Sequence, residues 1–212
     1  MRTVAAAGAL AAMLVACAPA DPGGATPGPS AASSPLRVAV VGDSLSFGDS
    51  SVFTQEGLGE GSYLFWALGD DALLAGGTAV PGATSLHQLE RVTPVEADVL
   101  ILALGTNDLA WGLPFGETAS ALVSIAGVVD APRVLLLSIP PISDDYALDT
   151  TAYNRQLRAL AGEQGWEWVD AAAAIREGAA WAPGATDDGV HYTLEAARKV
   201  GEAVGEALRS GS

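Results

Sequence analysis

Basic residues are scarce in this chain of 212 residues: 10 Lys and Arg stand against 25 Asp and Glu, a formal net charge of −15. A surface field of that sign repels phosphate polymers and anionic headgroups, so nucleic acid is not an expected partner. Histidine and cysteine are scarcer still. His87, His191 and Cys17 are the only residues of their kinds, too few for a disulfide framework or a histidine-rich zinc centre. No metal and no cofactor is expected, and any metal chemistry would have to rest on carboxylates. Neither G-x-G-x-x-G nor the Walker pattern occurs, which argues against a nucleotide-binding domain. What the chain has is apolar mass. Half of its residues are hydrophobic, enough at this length for one domain around one core.

The first residues stand apart from that domain. Arg2 supplies a positive charge, and residues 3–16 form an alanine-rich apolar run too short to span a bilayer comfortably. This is the pattern of a secretory signal. The run ends in Leu14-Val15-Ala16-Cys17, which resembles the lipobox of bacterial lipoproteins. The resemblance implies that Cys17 becomes the lipid-modified first residue, anchored to the cell membrane on its extracytoplasmic side; more than one acyl chain there gives stable anchoring. The alternative is an ordinary signal cleaved near Ala18 or Ala20, which yields a secreted protein without Cys17. Residues 18–35 (APADPGGATPGPSAASSP) have no apolar period and are expected to form a disordered tether. The expected organisation is therefore a signal peptide over 1–16, the lipidated cysteine and tether over 17–35, and a folded domain over 36–212.

Within the domain, residues 36–41 (LRVAVV), 98–104 (DVLILAL) and 133–139 (RVLLLSI) are short aliphatic runs of the kind found in strands buried on both faces. Residues 73–80 and 166–169 are weaker strand candidates. Between them, helices are predicted over 62–68, 85–92, 117–129, 151–163 and 193–208. The alternation predicts an α/β fold: a five-stranded parallel sheet within a three-layer α/β/α sandwich. In such sheets ligands bind beyond the carboxyl ends of the strands. The polar strings VVGDSLSFG, VPGATS and LGTNDLAWG fall there, after the first three strands.

A serine hydroxyl attacks a carbonyl usefully only when a base takes its proton, a third group orients that base, and donors receive the oxyanion. Ser44 follows the first strand, where its backbone N–H can face the crevice. Gly82 lies in a Pro-Gly turn that lets its N–H approach a substrate closely, and Asn107 offers an amide donor after the third strand. Near neutral pH the base is a histidine. His191 is favoured because Asp188 precedes it by three residues, so one turn sets the carboxylate against the ring. His87 reads as a surface or interface residue.

The blocks Gly42-Asp43-Ser44-Leu45, Gly82, Gly105-Thr106-Asn107-Asp108 and Asp188-Gly189-Val190-His191, in this order, resemble those of the SGNH, or GDSL-type, hydrolases and esterases. The resemblance spans the domain from residue 36 to 208. It implies a flavodoxin-like SGNH fold and a triad of Ser44, Asp188 and His191. It also implies an oxyanion hole of Ser44, Gly82 and Asn107, with Gly76 and Gly77 as weaker rivals for the Gly82 role. No G-x-S-x-G string marks the other common serine hydrolase fold. Taken singly, Asp43 and Asp188 also read as helix caps, and Gly82 and Asn107 as turn residues. Asp108 reads as a cap or loop brace, and Trp111 as a candidate pocket wall.

The expected activity is hydrolysis of carboxylic, acyl or acetyl, esters through an acyl-enzyme. The alternatives are acyl transfer to a cell-envelope glycan and a non-catalytic surface lipoprotein. The expected partners are a small-molecule, lipid or glycan ester and the membrane, the latter through the lipid anchor only. The chain is read as a monomer. Substrate choice is expected to rest on residues 62–66, 110–116 and 142–150.

Overall fold

The computed structural model describes Thr3 and residues 34–143 and 148–211. The signal segment, Cys17 and the tether as far as residue 33 lie outside the described residues, as do residues 144–147 of the third substrate loop. The folded unit begins at Ser34.

Val38, Val40 and Val41 are β-branched, which suits a pleated surface better than a helix, and they lie in β1 (Leu36–Gly42). The other strands are β2 (Ala72–Ala79), β3 (Val99–Ala103), β4 (Arg133–Leu137) and β5 (Glu167–Val169). They form one sheet in the order β2-β1-β3-β4-β5, every neighbouring pair parallel. Alternate side chains enter opposite layers. Val38, Val40, Ile101 and Leu135 face one buried cluster, while Ala39, Val41, Leu100 and Leu136 face the other.

Helices cover both faces. On the first lie α2 (Tyr63–Ala67) and α7 (Leu194–Ser210), which supply Leu64, Val200 and Val204. On the second lie α5 (Phe115–Val129) and α6 (Thr150–Gln164), which supply Leu122, Ile125 and Leu157. The three-layer expectation is met. Three short elements go beyond it: α1 (Ser44–Phe47), α4 (Thr106–Ala110) and the hairpin of β6 (Arg176–Glu177) and β7 (Ala180–Trp181). The predicted helix over 85–92 stops early, as α3 (Ser85–Leu89).

The chain leaves β1 toward β2 at one edge, then returns to β3 on the other side of β1. That reversal opens a crevice at the carboxyl ends of β1 and β3. The loops after β1, β2 and β3 meet around it.

Candidate active site

Ser44 opens α1 directly after β1. Asp43 caps this one-turn helix, its Oδ1 accepting from the Leu45 N–H at 3.0 Å. The Ser44 N–H, as the first in the helix, has no intrahelical acceptor. Ser44 Oγ lies 3.0 Å from His191 Nε2, and His191 Nδ1 lies 2.7 Å from Asp188 Oδ2. With its Nδ1 proton donated to the carboxylate, the ring presents Nε2 as acceptor to the serine hydroxyl. The sequence separates Ser44 from His191 by 147 positions, and the fold closes that gap to hydrogen-bond length.

Asp188 both orients the ring and shapes the loop that carries it. Its Oδ1 accepts from the backbone N–H groups of Val190 at 2.9 Å and His191 at 2.7 Å. Burial raises the pKa of this carboxyl, but these N–H groups, the His191 ring and its charge outweigh it and hold Asp188 well below the usual carboxylate range. It is an anion whenever the imidazole is the base. The loop is itself anchored: Gly189 O accepts from Ser143 N–H at 2.9 Å and from Trp181 Nε1 at 3.1 Å, and Gly189 N–H donates to Thr186 Oγ1 at 2.9 Å. Sequence reasoning missed Ser143, Trp181 and Thr186, because their role depends on which loops fold back on one another.

The proposed oxyanion donors also gather here. Gly82 has φ 76°, and a Cβ on it would meet nothing within 4 Å. Open space therefore faces it, and its N–H has no acceptor among the described residues. Neither rival fits as well. Gly76 and Gly77 lie within β2, where they pair with Ala39 and Val40 of β1. Asn107, on α4, is turned inward, with Nδ2 donating to Asp43 Oδ2 at 3.2 Å and to Ala83 O at 3.1 Å. An arriving oxyanion would compete for one of these two amide protons.

Next to Ser44 in the chain, Asp43 is 1% exposed. Loss of water raises its pKa to about 7; the Asp108 charge adds to the rise, and the Leu45 N–H and the His191 charge oppose it. Asp108 is the loop brace the sequence suggested. Fully buried, it accepts from the Ser85 N–H and hydroxyl and from the Thr118 hydroxyl, joining α3, α4 and α5. Gln88, also fully buried, donates to Gly42 O at 2.5 Å and pins the end of β1.

A cavity of about 530 Å³ opens at the dyad, walled by Leu45, Asp49, Gly61, Pro81, Asp187 and Leu194. Among the described residues, none of the segments expected to shape it, 62–66, 110–116 and 142–150, lines this cavity; Gly61, just before the first of them, does. Trp111 is not a wall: it is 72% exposed at the end of α4, and the cavity extends the other way, toward Gly48 and the start of α7. His87 is exposed, as read from sequence. Among the described residues, no group of three or more His, Cys, Asp or Glu is placed to hold a metal ion, and no helix is long and apolar enough to cross a membrane.

The fold has solved counterparts. The lipase/acylhydrolase of Enterococcus faecalis superposes with a TM-score of 0.65 at 14% identity, over 83% of this chain and 96% of that one. A GDSL-like lipase of Bacteroides thetaiotaomicron gives 0.62 at 19%, over 84% and 89%. The native aryl esterase of M. smegmatis gives 0.60 at 23%, over 82% and 99%. Likeness at these identities speaks for the fold. No curated protein matches the chain at significance. The family model does: residues 40–199, from the strand before Ser44 to past His191, match the GDSL-like lipase/acylhydrolase family, and the chain belongs to it.

Proposed function

We propose that this protein is a serine esterase that cleaves carboxylic esters through an acyl-enzyme on Ser44. Family membership supports ester hydrolysis in general. The observation that carries the finer reading is the hydrogen-bonded series from Ser44 Oγ to His191 to Asp188, at 3.0 and 2.7 Å.

Chemistry follows from the geometry. His191 Nε2 removes the Ser44 proton as Oγ bonds to the ester carbon, and the carbonyl oxygen becomes an anion received by the N–H groups of Ser44 and Gly82 and the Asn107 amide. Collapse breaks the bond to the alcohol, which leaves with the proton from His191. Water then attacks the acyl-serine, giving up its proton to the same nitrogen; the bond from the acyl carbon to Oγ breaks, Oγ takes that proton back, and the acid is released. The His191 side chain is 51% exposed, so water reaches the base readily.

Replacing Ser44 by Ala is expected to lower turnover of a short-chain aryl ester by at least about a thousandfold and to abolish labelling by a fluorophosphonate probe. Retained turnover in the variant would refute the assignment. His191→Ala is expected to remove the rise of activity with pH that a base in this position produces.

The lipobox resemblance supports a further part of the proposal, anchoring through Cys17 outside the cell membrane. Cys17→Ser is expected to move the protein from the membrane fraction to the soluble fraction. An unchanged distribution would count against lipidation.

A further inference from the structure

A second cavity, of about 490 Å³, lies between the first turns of α6, the end of β5 and the β6–β7 hairpin. It shares no lining residue with the cavity at Ser44. Its lining is unusual for this molecule. The whole chain has 10 Lys and Arg, yet Arg155, Arg158 and Arg176 all line this one space.

The three do not stand alike. Arg176 is held by Asp170 in a two-pronged pair, 2.6 Å at each contact. That pair keeps the Asp170 carboxyl below its ordinary range: the Arg176 hydrogen bonds lower it most, burial opposes them, and the Arg158 charge lowers it further. Arg155 and Arg158 form no ion pair among the described residues, although carboxylates outnumber cations in the chain by more than two to one. Among the described residues lining the cavity, three guanidinium groups thus face one carboxylate. Thr150 and Thr151 add hydroxyl groups to the lining, and Ile139, Pro141, Trp168 and Ala179 supply its apolar wall. Asn154 is held in place by Ile139, whose N–H donates to its Oδ1 and whose carbonyl accepts from its Nδ2, at 2.9 Å each.

We propose that this cavity is a binding site for a small amphiphilic anion, with a carboxylate or phosphate head at Arg155 and Arg158 and an apolar body against Trp168, Ile139 and Pro141. Guanidinium groups suit both heads through paired N–H donors, and the volume is that of an ordinary small-molecule site. The site is independent of the esterase reading. It touches the catalytic loop indirectly: Ile139 and Pro141 belong to the segment whose Ser143 N–H holds Gly189.

Calorimetry with the full chain tests this, using octyl phosphate and octanoate as probes. Saturable one-to-one binding is expected for at least one, and the tighter of the two identifies the head group. Octanol, octyltrimethylammonium and inorganic phosphate alone are expected to bind at least about tenfold more weakly, since each lacks one half of the recognition. Arg155→Gln and Arg158→Gln are each expected to weaken binding by about three- to tenfold, as partly solvated charge contacts do. Ala179→Glu places a carboxylate on the rim, touches neither arginine, and is expected to weaken it likewise. Amide shifts on titration are expected at Trp168, Arg176 and Ile139. Several outcomes would overturn the proposal: no saturable binding, equal affinity for the Arg155→Gln/Arg158→Gln double variant, equal affinity for inorganic phosphate, or shifts confined to Ser44 and His191.

Discussion

Asp43 does two jobs with one carboxylate. One oxygen caps α1 and sets the entry of the nucleophile; the other holds the Asn107 amide. Burial raises its folded pKa to about 7 from 3.8. For an acid, a raised folded value means the native state holds its proton more tightly than the unfolded chain, so stability falls as pH rises from about 4 through 7. Asp43→Asn removes that titration and retains a cap, because asparagine accepts from the Leu45 N–H equally well. The melting temperature of the variant relative to the parent is expected to be higher at pH 8 than at pH 4.5, because only the parent must ionise a buried carboxyl at the higher pH. The variant should also lose kcat, since its new amide faces that of Asn107 donor to donor. A parent-like kcat would show that Asp43 does not position Asn107. The grouping of Ser44, His191 and Asp188 was legible in the sequence because a serine needs a base, only two histidines exist, and one has an aspartate a turn away. The Asp43–Asn107 contact was not: it joins residues 64 positions apart through a turn whose geometry no local string specifies.

At the scale of elements, the docking of α7 on α2 decides where His191 sits, because α7 begins three residues after it. The two helices meet at Gly201. A Cβ there would lie 2.4 Å from Tyr63 O and 2.5 Å from Trp66 Cβ, far inside contact distance with a backbone that cannot swing away. Gly201→Ala gains about 1 kcal/mol of helix propensity but overpacks the contact at a cost of about 1–3 kcal/mol, with the upper end apt where backbone must move. The clash wins. A lower melting temperature is expected, with a fall in kcat as the start of α7 shifts under His191; an unchanged or raised melting temperature would show that the helices can separate freely. The strands and long helices could be read in advance, since aliphatic runs such as VLILA in β3 and the spacing of Leu122, Ile125 and Val129 in α5 report burial directly. The short α4 and the β6–β7 hairpin could not. Five residues of helix and two-residue strands have too little periodicity, and both exist because their ends are held by tertiary partners, α4 through Asp108 and the hairpin through the Arg176–Asp170 pair.

For the whole molecule the governing quantity is charge. A formal −15 makes the compact state repel itself, and the repulsion grows as carboxylates ionise. Asp43 adds a cost of the same sign on the alkaline side. On the acid side the sign reverses: Asp188 and Asp170 have lowered folded pKa values, so their contributions are present above the unfolded value and are lost as pH falls through the folded one. The two trends cross near the ordinary carboxylate value, and the highest melting temperature is expected at about pH 4. Salt separates the causes. Sodium chloride at about 0.5 M shortens the screening length to well under the roughly 10 Å found at 0.1 M, which weakens surface repulsion and leaves the burial cost of Asp43 largely untouched. Melting temperature at pH 8 is therefore expected to rise from low salt to 0.5 M sodium chloride, while remaining below its value at pH 4. If salt erased that remaining gap, surface repulsion alone would explain the alkaline loss and Asp43 would have no part in it; if salt had no effect at pH 8, the charge imbalance would be irrelevant to stability.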